Sequence, residues 1–361
     1  MDELTLRTGF EIELLAPPGS DRQALADVVA ARAGGHVRRE FHADSQPSPV
    51  PGVSVFRHLS PAFAVTGPAG EPVARFVDDI TIEADLAPVP GSQPRRGHRG
   101  WYRLLSDEGR LLRLVERHVD PHAPMATVLE PVAALFGVGV DAFQAAARVN
   151  DPTGASIAVA LPLPPGRERP CEIVTPPLER DHARALERLL GPARELGFTV
   201  PQEAAVHLHV DAGPFRRSSA LANLVRLFAH WRAPLWAALG TNPRCRRLAP
   251  LPDALVRLVE HGWQDTDDGW AGLQDAARAV GLTKYADVNL VQLVAARPLR
   301  DTVEVRILPG DVDARSIVER AALVERLLLR CLDPAPLPPP GPDAADDPRG
   351  ALDALAAVAV R

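Results

Sequence analysis

Four short stretches of the chain place acids and imidazoles where a buried strand is expected: TGFEIELL, CEIVTPPL, AVHLHVDAG and TVEVRILPG. In a strand alternate side chains share a face, so Glu11 and Glu13 fall together, roughly 7 Å apart at the backbone, with Phe10, Ile12 and Leu14 opposite. By the same rule His207, His209 and Asp211 oppose Val206, Leu208 and Val210, and Glu304 and Arg306 oppose Val303, Val305 and Ile307. Glu172 sits amid Ile173 and Val174, and Asp79 precedes an alternating run at Ile80 and Ile82. Each stretch alone has an ordinary reading: a solvated edge, a hydrogen-bonded histidine, or a surface ion pair that contributes little. Together they describe a sheet with one apolar face and a second face carrying Glu11, Glu13, Asp79, Glu172, His207, His209, Glu304 and Arg306. An ordinary solvated face would carry more Lys, Thr, Ser and Gln.

Such a face suits divalent cations. Hard ions such as Mg²⁺ take carboxylate oxygens and keep places for water and substrate phosphates. Two glutamates at i and i+2 could each serve one ion and converge toward the roughly 4 Å spacing of a two-metal site. Arg306 is then the cation that faces phosphates or a developing negative charge.

The elements needed to hold this face are legible. SDRQALADVVAARAGG offers Ser20 or Asp21 as N-cap and Gly34-Gly35 as stop, and so predicts a helix. A Pro-rich loop is expected to lead from there to VSVFRHL, and AFAVTGPAGEPVARFVDDITIEADL predicts two strands about a Gly-Pro turn, Ile80 and Ile82 included. Residues from about 86 to 150, opening on the loop PVPGSQPRRGHRG, predict a helical insert. A helix near 179–190 is expected to break or kink at Gly191-Pro192. Further helices are expected from Ser218, near 252–261 and 268–280, and from Asp313. DPAPLPPPGPDAADDP, too rich in Pro and Asp to pack, predicts a mobile linker before a short C-terminal helix.

Composition excludes several classes. With 46 acidic and 40 basic residues the net charge of -6 is ordinary and draws neither nucleic acid nor an anionic membrane. Cys171, Cys245 and Cys331 are far apart and odd in number, which fits a reducing cytoplasm rather than a disulfide framework. No leader pattern and no membrane-length apolar run stands out, so a cytosolic protein is expected.

With the four motifs in that order, the chain resembles the family described as putative amidoligases. That family belongs to the carboxylate-amine ligase superfamily of glutamine synthetase and glutamate-cysteine ligase. GFEIEL corresponds to its ExE strand, CEIVTPPL to the strand after the insert, HLHVD to its HxH strand and TVEVRILPG to its ExR strand. The resemblance implies an α+β fold, glutamine synthetase-like, whose antiparallel sheet packs helices on one face and presents a polar, concave active-site face. It implies Glu11, Glu13, Glu172, His207 or His209, and Glu304 as metal ligands, Arg306 as phosphate contact, and ATP with Mg²⁺ or Mn²⁺ as cofactors. The implied reaction activates a carboxylate as an acyl phosphate that an amine displaces, with Asp79 or Asp211 as base; Asp211 could equally orient a ligand histidine. No nucleotide motif stands in TKYADVNLVQLVAARPLR, whose Lys284, Asn289, Arg297 and Arg300 are the candidate ATP contacts. Residues 1–332 are then one catalytic domain and 333–361 the tail. The expected partners are small-molecule or peptide carboxylates and amines, with a homo-oligomer left open. Two rivals remain at this point: a metal-dependent hydrolase using HxHxD, and a non-catalytic binding protein with the same fold.

Overall fold

Alternation of apolar and polar residues becomes strand at TGFEIELL, AVHLHVD and TVEVRILP in the computed structural model, which describes residues 4–47, 55–86, 100–143, 146–341, 344 and 347–359. The strands are Thr8–Leu15 (β1), His36–Pro47 (β2), Val55–Thr66 (β3), Pro72–Val77 (β4), Tyr102–Ser106 (β5), Asp141–Phe143 (β6), Ala146–Asn150 (β7), Ser156–Pro162 (β8), Pro170–Val174 (β9), Ala205–Asp211 (β10), Val288–Asn289 (β11) and Thr302–Pro309 (β12). The helices are Arg22–Ala33 (α1), Gly109–His118 (α2), Glu130–Phe136 (α3), His182–Glu195 (α4), Ser218–His230 (α5), Arg232–Leu239 (α6), Asp253–Val259 (α7), Asp267–Ala279 (α8), Val291–Val294 (α9), Ala314–Cys331 (α10) and Pro348–Ala359 (α11). The ladders are antiparallel, so the chain is α+β, as expected. Among the described residues no helix is long and apolar enough to cross a membrane.

Two compact units divide the chain. The first comprises Met1–Glu13, Thr175–Gly191 and Gln202–Arg361, and its strands run β11-β12-β10-β1. Registers there are Glu11↔His207 and Gly9↔His209, His209↔Glu304 and Asn289↔Glu304, which put the polar residues of four strands side by side. A register shift between Val206 and Leu208 interrupts the β10–β12 ladder. The TPPL segment lies along β1: Phe10 N–H donates to Thr175 Oγ1 at 2.9 Å, and Thr8 and Leu178 exchange backbone bonds of 2.9 and 2.8 Å. Phe10, Ile12, Leu208, Val210, Val303, Val305 and Ile307 are buried, and α6 and α10 pack against β12. Helix α10 starts where predicted, with Asp313 accepting from Ser316 N–H at 2.7 Å.

The second unit comprises Leu14–Val174 and Pro192–Pro201. Its strands run β9-β4-β3-β5-β8-β7-β6, with β2 also paired to β3. Helix α1 has the expected ends: Asp21 accepts from Ala24 N–H at 3.0 Å, and Gly34, at φ 65°, closes it in the left-handed conformation that suits glycine. Helices α2 and α3 cover a core that includes Leu59, Leu104, Leu112, Val128 and Val149.

Several expectations need correction. The segment after Gly35, expected as loop, forms β2, because HVRREFHADSQP pairs along the whole of β3; residues 48–54 lie outside the described residues. DDITIE is not strand. Thr81 donates its N–H and hydroxyl to Asp79 at 2.8 and 2.7 Å, and this local turn takes the place of a ladder. The insert, expected to be helical, also contributes β5, β6 and β7; its opening loop at 87–99 lies outside the described residues. Helix α4 runs on through Pro192 to Glu195, so of the expected break or kink at Gly191-Pro192 the break does not occur. The tail expected not to pack is held over its first residues. Asn223 Nδ2 donates to the carbonyls of Asp333 and Ala335 at 2.8 and 3.0 Å, and Trp231 Nε1 donates to that of Pro338 at 2.8 Å. Proline lacks an N–H but keeps its carbonyl, so buried side-chain donors can fix such a segment without any ladder.

Candidate metal centre

Strands β1, β10 and β12 converge their polar faces on His207. Its Nδ1 lies 3.2 Å from Glu11 Oε2 and 3.6 Å from Glu304 Oε1, and its Nε2 lies 3.2 Å from Glu13 Oε1. Glu13 Oε2 accepts Ala205 N–H at 2.8 Å, which fixes that carboxylate. His209 Nε2 stands 3.2 Å from Glu11 Oε1 but has no aligned hydrogen-bond partner, while its Nδ1 is 3.3 Å from Thr302 Oγ1. Arg306 pairs with Glu304 Oε1, and Asn289 Nδ2 donates to Glu304 Oε2 at 2.7 Å. Glu11, Glu13, His207, Glu304 and Arg306 are all buried.

The electrostatics follow from that burial. Desolvation alone would raise the Glu11 carboxyl, but the charge of His209 beside it and the hydrogen bond from His207 hold it well below the usual carboxylate range. Glu304 is likewise pushed up by burial and pulled further down by Arg306. Burial, then repulsion from Arg306, lowers the His207 imidazole. Burial opposes protonation of His209 as well, but Glu11 outweighs it and raises that ring. Arg306 is raised, because the carboxylates of Glu304, Glu13 and Glu11 overcome its desolvation.

The donor set fits a cation. Glu11, His207 and Glu304 each offer an atom, all within 4.8 Å of one another. Both nitrogens of His207 face carboxylate oxygens at 3.2 Å, yet a neutral imidazole has one N–H and one lone pair. In the neutral ring one nitrogen donates to a carboxylate and the other keeps a lone pair, which a cation held by the same carboxylates can take. Ionised carboxylates and a neutral imidazole are also the states that metal binding requires.

Of the residues expected here, the structure brings together Glu11, Glu13, His207, His209, Glu304 and Arg306. Two of the residues expected to contact a nucleotide lie beside this group: Asn289 on Glu304, and Arg300, whose Nη1 lies 3.2 Å from Glu11 Oε1. Lys284 sits over the Tyr285 ring at 5.7 Å, and Arg297 is exposed in the loop after α9. Asp211 is exposed at the end of β10, where Oδ1 accepts Gly213 N–H at 2.9 Å. Asp79 and Glu172 belong to the second unit. There Asp79 is held by Thr81 and Glu172 is half-buried opposite Val77.

Sequence reasoning missed Thr302 and Asp287. Asp287 is 1 % exposed, accepts from Arg232 Nε at 2.7 Å and Trp236 Nε1 at 3.0 Å, and supplies the backbone carbonyl for Arg306 N–H at 2.9 Å. Its acidic character in YADVN was the available signal, but its partners on α6 are remote in sequence.

Fold and site together define an antiparallel α+β protein with a buried carboxylate–imidazole cluster built on adjacent strands. The chain belongs to the putative amidoligase enzyme family, whose sequence model matches residues 4–328. No curated protein and no solved structure matches it.

Proposed function

We propose that the chain is a cytoplasmic, ATP-dependent carboxylate–amine ligase of glutamine synthetase-like fold, using Mg²⁺ or Mn²⁺ and acting on small-molecule or peptide substrates. The observation that carries this reading is the Glu11–His207–Glu304 cluster on the strands whose motifs match the amidoligase family. The family match runs across both units, which supports reading residues 1–332 as one catalytic domain.

Amide formation from a carboxylate is uphill, and the carboxylate is a poor electrophile because its charge must be lost. In the proposed reaction a carboxylate oxygen attacks the γ-phosphorus of ATP and ADP leaves. The amine nitrogen then attacks the acyl carbon, phosphate departs, and a base takes the ammonium proton. Glu11, His207 and Glu304, with Glu13, His209 and Glu172 as further donors, would hold divalent cations that offset phosphate charge. Arg306 uses one N–H on Glu304 and keeps a buried Nε–H without a partner, a donor suited to a phosphoryl oxygen. Asp79 and Asp211 are the proposed bases, and Lys284, Asn289, Arg297 and Arg300 the proposed ATP contacts.

The test is phosphate release from ATP across a panel of carboxylates and amines, with and without Mg²⁺ or Mn²⁺. Turnover should require the metal and both co-substrates and should vanish in Glu304→Gln. A wild-type chain that binds no ATP in the presence of Mg²⁺, and loses nothing on that substitution, refutes the reading. Turnover with zinc and no nucleotide would point to a hydrolase instead.

A further inference from the structure

His182 opens α4 on the apolar side of β1, its ring edge-on to Phe10 with centroids 6.3 Å apart. Its Nε2 lies 3.1 Å from Leu178 O. A carbonyl only accepts, so Nε2 carries a proton in that bond. Nδ1 is buried with no partner, in a residue 1 % exposed. Native interiors rarely leave such an atom unsatisfied.

The same histidine lines a cavity of about 870 Å³ bounded by the start of α4, the end of α6, α10 from Arg315 to Arg326, and α11. It is an open cleft, with Asp181, Arg184, Arg315, Glu319 and Leu352 exposed along its lining. It lies within the range of small-molecule pockets, roughly 300–1,000 Å³. One part of the wall is apolar: Leu239, Val318, Leu323 and Leu352. Arg184, Arg315, Arg320 and Arg326 supply four guanidiniums to the lining against the two carboxylates of Asp181 and Glu319. Arg320 is committed to Asp311 at 2.9 Å. Arg184 and Arg315 are exposed and form no ion pair among the described residues.

We infer that this cavity is a binding site for a small amphipathic anion. Its apolar body would lie on the α10 wall, and its carboxylate or phosphate head would meet Arg184 and Arg315. Guanidinium suits either head group, because its N–H fork matches the oxygens of both. The site is separate from the carboxylate cluster, which lies on the other face of β1, and it stands whether or not the chain is a ligase.

Decanoate, decyl phosphate and uncharged decanol are the probes, titrated below their aggregation limits into the full-length protein and followed by calorimetry. The wild-type chain should bind one equivalent of at least one anion and bind decanol at least tenfold more weakly. Arg184→Ala/Arg315→Ala, both exposed positions, should weaken anion binding at least tenfold without lowering the melting temperature, and Glu304→Gln should leave it unchanged. Which anion binds more tightly identifies the head group as carboxylate or phosphate. A double variant that binds as the wild type does, decanol as tight as the anions, or no saturable binding of either anion overturns the inference.

Discussion

Replacing Glu304 by Gln tests the wiring of the cluster before any activity is known. Asn289 donates to one oxygen of Glu304 at 2.7 Å and Arg306 to the other. The orientation of Asn289 is fixed independently, because its Oδ1 accepts Val291 N–H at 3.1 Å, so Nδ2 must face Glu304. A glutamine offers one oxygen and one NH₂, and whichever way it turns, one buried donor meets another donor. An unsatisfied buried donor costs about 1–3 kcal/mol, and the surviving bond loses about 1 kcal/mol of charge assistance. Relief of repulsion from Glu11, which opposes ionisation of Glu304, offsets part of this. The expected loss is about 2–3 kcal/mol in urea denaturation with EDTA present. Adding Asn289→Asp supplies an acceptor for the new NH₂ and should recover at least half of the loss, although Asn289→Asp alone, a further carboxylate in an acidic cluster, should destabilise. Mn²⁺ should raise the melting temperature of the wild-type chain and not that of Glu304→Gln. A single variant within 0.5 kcal/mol of wild type, or a double variant no better than the single, refutes the hydrogen-bond arrangement; equal Mn²⁺ shifts refute Glu304 as a ligand.

Other expectations follow from the second unit and from the thiols. Arg22, fully buried, donates to the carbonyls of Pro61, Arg167, Glu168 and Pro170 at 3.0–3.3 Å, with its guanidinium 4.8 Å from the Trp101 ring centroid. Arg22→Met should cost about 3–5 kcal/mol in denaturant, and Arg22→Lys should recover less than half, since one ammonium cannot span those carbonyls; a silent Arg22→Lys would refute this. His58 is held low by burial, with Asp44 and Asp78 opposing that and Arg103 and Arg167 adding to it. The unfolded chain therefore takes up more protons just below its ordinary value of about 6.5. Stability from this group is complete above about that pH and is lost as pH falls through the folded value. His58→Gln should flatten the stability profile between pH 7 and 5, and an unchanged slope would exclude His58 as its source. Burial raises the thiol of Cys171 and pushes that of Cys331 up to about 12, whereas Cys245 is half-buried. A thiol reagent should label Cys245 alone in the folded protein, and labelling of Cys171 or Cys331 at the same rate would contradict the packing.

What could be seen in the sequence was the part of the fold with period two. In β1, β10 and β12 each polar residue alternates with a residue of the core, so the shared face of Glu11, Glu13, His207, His209, Glu304 and Arg306 needed only the alternation to be recognised. The turn at Asp79–Thr81 was missed for a related reason. DDITIE has the same alternation, and nothing in the pattern shows that Thr81 will satisfy Asp79 locally rather than leave it for a neighbouring strand. Strand β2 was hidden in the opposite way. Its His, Arg, Glu and Asp residues look like loop, and only the length of its pairing with β3 makes a strand of them.

The residues that complete the cluster show where such reading stops. Asn289 and Arg300 stand out in the sequence as polar groups near a strand and candidates for nucleotide contact, but their places beside the carboxylates are not legible there. Pairing of β11 with β12 places Asn289 directly opposite Glu304, and Arg300 reaches Glu11 across 289 positions of sequence. Neither fact has a local signature. The Arg300 side chain is 57 % exposed where that of Glu11 is 11 %, so its ion pair contributes little to stability. It is therefore the member of the cluster most easily displaced, and the outer cation at the Glu11 end. If ATP is a substrate, Arg300 can exchange its carboxylate for a phosphate at small cost, whereas Arg306, buried against Glu304, cannot leave without stranding a buried charge. Arg300→Ala should accordingly raise KM for ATP and leave the melting temperature within about 1 °C, while Arg306→Ala should lower the melting temperature as well. Equal effects of the two substitutions on stability would mean that burial does not distinguish these arginines.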